Sequence, residues 1–247
     1  MIRIGRILTC TLLLSAGAAL ATPVTPTFDS FGSLPGATFG GSGIPNDAVA
    51  VTRISYDNAT ITLGLTAVQR YQNPALTNNG AGIFHAAPGA NTGLDGANPA
   101  HALGATWNFA FYVSIDGGTF RDFDFDLFYD MDAGANTDFS QLGRIQLDRF
   151  VPATTTLAQD SQNLMFGFLA GNPALTGVTP PSASFDPLAS GEYGFVLRAR
   201  VADGAVLGQS AILVNVNDVP EPASLVLAAL ALLAAGSASR LNARRRG

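Results

Sequence analysis

The chain has 247 residues, of which 47% are hydrophobic and 13% charged, enough apolar material for one large or two small domains. Its basic residues are all arginine, and residues 22–218 carry seven of them against sixteen aspartates and Glu192, a net charge of −10. Such an acidic segment repels phosphate, which argues against nucleic-acid binding and suits cation binding or simple solubility. The single cysteine, Cys10, precedes this segment, which excludes thiol catalysis and disulfides within it.

Residues 1–21 are typical of a secretory signal peptide. Arg3 and Arg6 supply a positively charged start, an apolar stretch follows, and Ala19-Leu20-Ala21 fits the small-x-small rule for cleavage by signal peptidase. We therefore expect the mature chain to begin near Thr22.

Residues 22–218 show apolar and polar residues alternating with a period of two, whereas helical periodicity is scarce. The alternation predicts strands at 49–56, 59–68, 106–115, 119–129, 144–151, 163–169, 193–201 and 205–216. Regularly spaced strands separated by turn residues predict an all-β domain, an antiparallel β-sandwich of jelly-roll type, with a closed barrel as the alternative.

Three short sequences between these strands predict turns. Asp57-Asn58 and Asp203-Gly204 each separate two alternating runs and predict β-hairpins. Asp116-Gly117-Gly118 predicts that the chain turns back on itself after 106–115. Residues 73–104, rich in glycine, alanine, asparagine and proline, have no period and predict a long loop that is either functional or mobile.

An aspartate-rich segment spans residues 122–138. Asp122, Asp124 and Asp126 alternate with large apolar residues, which predicts a solvent-facing side of a strand. Like charges along one strand face are unfavourable unless a cation accompanies them.

Four oxygen-bearing residues follow that strand: Asp130, Asp132, Asn136 and Asp138. One interpretation is a calcium loop, because Ca²⁺ takes several oxygen ligands from a segment that can wrap it, and Gly134 allows a tight bend. The loop departs from EF-hand-like sites, since Gln141 stands where a bidentate glutamate would be. The other interpretation is an ordinary Asp/Asn/Gly turn.

Motifs for catalysis are scarce in the sequence. His85 and His101 lack the short spacing of zinc ligands, and no nucleophile elbow, phosphate-binding loop or dinucleotide fingerprint is present. Trp107, Tyr112 and Tyr129 could stack on sugar rings, although the apolar face of its strand places Trp107 in the core. We therefore expect a protein that is not an enzyme.

The C-terminus has three consecutive parts. Pro220-Glu221-Pro222 comes first, followed by 223–239, an uncharged stretch whose helical length of roughly 25 Å is at the short limit for a transmembrane helix. An arginine cluster ends the chain and would stay on the cytoplasmic side of a membrane. Its members are Arg240, Arg244, Arg245 and Arg246.

This ordered pattern over residues 219–247 resembles the PEP-CTERM sorting signal of Gram-negative bacteria. The resemblance implies that a membrane-embedded exosortase recognises Pro220-Glu221-Pro222 and cuts near it. It also implies an inner-membrane-anchored precursor whose body, residues 22–218, reaches the cell surface or the extracellular matrix, where such proteins are associated with exopolysaccharide and biofilm.

Three functions remain open for the body on sequence grounds. The first is a non-enzymatic structural or exopolysaccharide-associated protein. The second is a carbohydrate-binding, lectin-like module, with or without calcium. The third is a polysaccharide-active enzyme. Folds of this kind host all three roles, so the fold alone does not decide between them.

Overall fold

The computed structural model describes residues 22–71, 76–91, 103–202 and 204–217. The predicted signal peptide and sorting tail lie outside these ranges. The strands of the described residues are β1 Ser30–Gly32, β2 Val49–Tyr56, β3 Ala59–Gln69, β4 Thr77–Asn78, β5 Ile83–Ala86, β6 Ala90–Asn91, β7 Gly104–Ala105, β8 Trp107–Asp116, β9 Phe123–Tyr129, β10 Gly143–Gln146, β11 Leu157–Gln162, β12 Val178–Thr179, β13 Gly191–Val201 and β14 Val206–Val216. Single 3-10 turns lie at Phe139–Gln141, Leu147–Arg149 and Gly167–Ala170.

The strands form two large sheets. A five-stranded sheet has the order β1-β2-β3-β8-β11, and a seven-stranded sheet has the order β12-β10-β9-β13-β14-β5-β4, with β6 and β7 as a separate small pair. The all-β prediction is confirmed. The jelly-roll arrangement is not confirmed, and the pairing is not wholly antiparallel, because β5 runs parallel to β14.

The inner faces of the two sheets meet in one apolar core. Phe109 on β8 stacks on Phe195 on β13, with ring centroids 4.4 Å apart. Trp107, 2% exposed, contacts Phe195 edge-on and lies in the core as predicted. Alternation with a period of two sends every second residue of the long strands, such as β8 and β9, into this layer, and burial of their apolar surface is the main stabilising term.

Both predicted β-hairpins form. β2 and β3 pair from Tyr56 opposite Ala59, with Asp57 in the left-handed conformation that their short turn requires. β13 and β14 pair along almost their whole length. The prediction that the chain turns back at 116–118 is wrong, because β8 and β9 belong to different sheets and the turn carries the chain across the core.

Several predicted boundaries also require correction. Residues 73–104 are not one structureless loop, since β4, β5 and β6 lie within them and β5 joins the seven-stranded sheet. No strand spans 163–169: the chain there leaves β11 and enters a 3-10 turn, because Asn163 is fully buried and its side chain bonds to the backbone of Ala105 and Trp107. The strand predicted at 144–151 ends at Gln146.

The described residues include no helix long and apolar enough to cross a membrane. The predicted anchor at 223–239 lies outside them.

Candidate functional site

The aspartates of β9 are matched by arginines from both neighbouring strands. The Arg144 guanidinium on β10 lies 2.7 Å from Oδ1 of Asp126, and Nε of Arg200 on β13 donates to its Oδ2 at 3.0 Å. Arg200 also reaches Asp124 at 3.2 Å. Asp126 is 2% exposed, so its predicted solvent position is wrong, whereas Asp122 is exposed. The cations that accompany these like charges are therefore guanidinium groups.

The calcium candidates begin with a buried carboxylate. Asp130, 3% exposed, accepts a hydrogen bond from the Asp132 amide at 2.8 Å. Burial raises the pKa of Asp130 to about 6, although hydrogen bonds from Asp132, Thr137 and Gly194 act in the opposite direction. Burial raises the pKa of the neighbouring Tyr193 to about 12, and the negative charge of Asp130 acts in the same direction.

The other candidates are held by backbone amides around a tight turn. Asp132 accepts from the Gly134 amide at 2.9 Å, and the Asn136 amide donates to Glu192 at 3.2 Å. Asn136 adopts a left-handed conformation, with φ of 61°. Asp138 turns its carboxylate away from this turn, toward the Ser140 amide and the Thr22 nitrogen.

These contacts satisfy the carboxylates with protein donors. Within the described ranges, no three histidine, cysteine, aspartate or glutamate side chains are grouped so as to hold a metal ion. Calcium at Asp130, Asp132, Asn136 and Asp138 stays a prediction. His85 is exposed on β5, and His101 lies outside the described residues.

An open cleft of about 550 Å³ lies at one side of the sandwich. Its floor and walls are mainly aromatic and aliphatic, and the aromatic lining residues are Phe111, Phe150, Phe166 and Phe168. Phe150 is 48% exposed, and the rings of Phe166 and Phe168 stack with centroids 6.1 Å apart.

One wall of this cleft is polar and comes from β11. Gln162 donates through Nε2 to Oδ2 of Asp160 at 2.9 Å, and Asp160 also accepts from the Ser161 amide at 2.8 Å. Partial burial raises the pKa of Asp160. The sequence did not predict this cleft. β11 was not predicted, and the aromatic residues of the cleft lie on three separate segments of the chain.

The aromatic residues predicted to stack on sugars are placed differently. Trp107 and Tyr129 are buried, and the Tyr129 hydroxyl donates to the Leu169 carbonyl at 2.7 Å. Tyr112 is half-buried and packs on the small cluster that contains Phe39. The exposed ring surface of the described residues is instead found at positions such as Phe150 and Tyr56.

The described residues thus define an all-β sandwich protein with an arginine-paired acidic face and an aromatic cleft. Residues 218–246 match the PEP-CTERM protein-sorting motif, which confirms the resemblance of the tail. The motif indicates an exported protein that an exosortase recognises. The sorting residues Pro220, Glu221 and Pro222 and the terminal arginines fall within the match, and all lie outside the described residues. No curated protein shows significant similarity to the chain.

Proposed function

We propose that the chain is a non-enzymatic surface or matrix protein, which exosortase releases from an inner-membrane-anchored precursor and which associates with exopolysaccharide. The observation that carries the proposal is the match of residues 218–246 to the sorting motif. Two prolines within three residues disfavour helix and sheet pairing, which suits a sequence that a protease must bind. The arginine cluster holds the end of the chain in the cytoplasm.

Fractionation of a host that carries the exosortase tests this sorting step. The intact chain is expected in the surface or medium fraction with its tail removed, as read from its intact mass. A chain with Pro220→Ala, Glu221→Ala and Pro222→Ala is expected to stay in the membrane fraction at precursor mass. Asp47→Asn, at an exposed position of the body, is the control and should sort normally. Identical fractionation of all three chains would overturn the proposal.

A second candidate, glycan binding by the body, is favoured by the cleft. Ring faces beside hydrogen-bonding side chains suit sugars, whose C–H faces are apolar and whose hydroxyls are polar. The body's net charge of −10 favours neutral or cationic glycans over anionic ones. Phe150 and the pair Asp160 and Gln162 are the residues that we expect to contact the ligand.

A glycan array with the purified exported protein tests this second candidate. Phe150→Ala is expected to lose binding of a neutral glycan, because its ring is exposed in the cleft and contributes little to the core. Tyr56→Ala removes a similarly exposed ring, 43% against 48%, outside the cleft and serves as the matched control. Binding that both variants lose equally, or no binding by the wild type, removes the cleft as a glycan site.

A further inference from the structure

Residues 22–27 pack against the seven-stranded sheet, and their contacts with it begin at the backbone nitrogen of Thr22. The Thr22 nitrogen lies 2.6 Å from Oδ2 of Asp138, and the Thr22 carbonyl accepts from the Phe139 amide at 3.0 Å. Pro23 forms an isolated β-bridge with Asp138. Both polar backbone groups of Thr22 are therefore fixed against residues 138 and 139.

Two further anchors hold the same segment. Val24, 9% exposed, belongs to an apolar cluster on the outer face of the sheet and lies directly over Gly194, where an added Cβ would come within 2.9 Å of it. Thr27 exchanges two backbone hydrogen bonds with Ala211 on β14, at 3.1 and 2.7 Å. Residues 22–27 are therefore part of the folded body. The contacts made at Thr22, Val24 and Thr27 together fix the position of the Thr22 nitrogen.

We propose that Asp138 is the binding site for the α-ammonium group that signal peptidase creates when it cuts between Ala21 and Thr22. This inference rests on the proposed export of the chain. In the precursor the Thr22 nitrogen is a neutral amide that donates one hydrogen bond. After cleavage it is a cation at the same place, so processing converts a neutral hydrogen bond into an ion pair.

The charged groups around this nitrogen fit the assignment. Asp138 receives additional hydrogen bonds from the amide and hydroxyl of Ser140, which lower its pKa, and the Thr22 amide acts in the same direction. Thr22, Asp138 and Arg198 line one cavity of about 440 Å³ on this side of the sheet. The Arg198 guanidinium is turned to Gln209 and covers the rings of Phe128 and Phe139, so it is occupied by other partners.

The ion pair has a defined pH range. The pKa of Asp138 is lowered, so its stabilising contribution is present above its unfolded value and is lost as the pH falls through the lowered one. An α-ammonium that gains a carboxylate partner has a raised pKa, so its contribution is present below about pH 8 and is lost as the pH rises through the raised value. The pair therefore stabilises the mature protein around neutral pH.

The absence of lysine makes the α-amine measurable. Once processed, the exported protein has no other primary amine, so reductive methylation with ¹³C-formaldehyde labels Thr22 alone and keeps its positive charge. The labelled amine is expected to titrate about 0.5 pH higher in the wild type than in Asp138→Asn. Asp122→Asn, at an exposed aspartate in the turn before β9, is the control and should titrate as the wild type does.

Each outcome decides a different claim. Equal titration of the wild type and Asp138→Asn overturns the ion pair. An intact mass that places the first residue elsewhere than Thr22 also overturns it. The same mass shows whether the C-terminal tail has been removed, so the proposed sorting step is tested separately. A Thr22 start combined with a shift confined to Asp138→Asn supports the proposal.

Discussion

The carboxylate of Asp126 lies 2.7 Å from the guanidinium of Arg144 although the residues are eighteen positions apart and on different strands. β9 lies between β10 and β13, so Arg144 approaches Asp126 from one side and Arg200 from the other. An aspartate buried on the outer face of a sheet is tolerated because two cations accompany it.

Removal of the Asp126 charge should destabilise the protein strongly. Asp126→Asn leaves two guanidinium groups without their shared partner, and loss of one member of a buried ion pair costs about 3 kcal/mol of unfolding free energy. Denaturant unfolding measures the change. Asp122→Asn, in the turn just before β9, is the control, expected within about 0.5 kcal/mol of the wild type because Asp122 is exposed and the asparagine oxygen can still accept from Thr119. Equal effects of the two substitutions would contradict the central role of Asp126.

The buried Asp130 should make stability depend on pH in the opposite sense to an ordinary ion-paired aspartate. Its folded pKa of about 6 lies above the reference value of 3.8, so the cost of the buried charge is absent below pH 4, grows between pH 4 and 6, and is complete above. Asp130→Asn should therefore exceed the wild type in unfolding free energy by up to about 3 kcal/mol at pH 7 and match it near pH 4. A variant less stable than the wild type at pH 7 refutes this.

Calcium offers a second way to relieve the charge of Asp130. If Asp130, Asp132, Asn136 and Asp138 bind calcium, then the thermal midpoint at pH 7 should rise in millimolar Ca²⁺ and fall with chelator, because a ligand that binds only the folded state stabilises it. Magnesium is the control ion. Midpoints that do not differ between calcium and chelator end the calcium interpretation.

The contact between the two sheets should dominate stability. Phe109→Ala removes a ring that is fully buried and stacked on Phe195, which should cost about 3–5 kcal/mol. Leu188→Ala, at a position 70% exposed, should change the unfolding free energy by less than about 0.5 kcal/mol. Similar losses in both variants would mean that the sheets do not share this core.

Features set by neighbours in sequence could be predicted. The turn at Asp57-Asn58 and the alternation of β2 and β3 are local, and the sorting motif at residues 218–246 is a local pattern too. The parallel pairing of β5 with β14 is not, because it joins residues about 130 positions apart and β5 has only four residues. The burial of Asp126 likewise depends on arginines contributed by two other strands.

The apolar residues of 163–169 gave a misleading signal for a similar reason. Their alternation suits a strand, but the side chain of Asn163 bonds to residues 105 and 107 and holds the chain in turns. The cleft beside them assembles from β8, β10, β11 and two 3-10 turns with the residues next to them, so its lining has no signature in any single stretch of sequence.

The position of β14 sets an order of events during export. It is an interior strand of the seven-stranded sheet, with β13 on one side and β5 on the other, and it ends at Val216, four residues before Pro220. A chain that crosses a membrane from its N-terminus delivers β14 last, so until almost the whole body has emerged β5 can pair only with the two-residue β4. Completion of the sheet and emergence of the sorting motif thus coincide, separated by at most ~14 Å of extended chain.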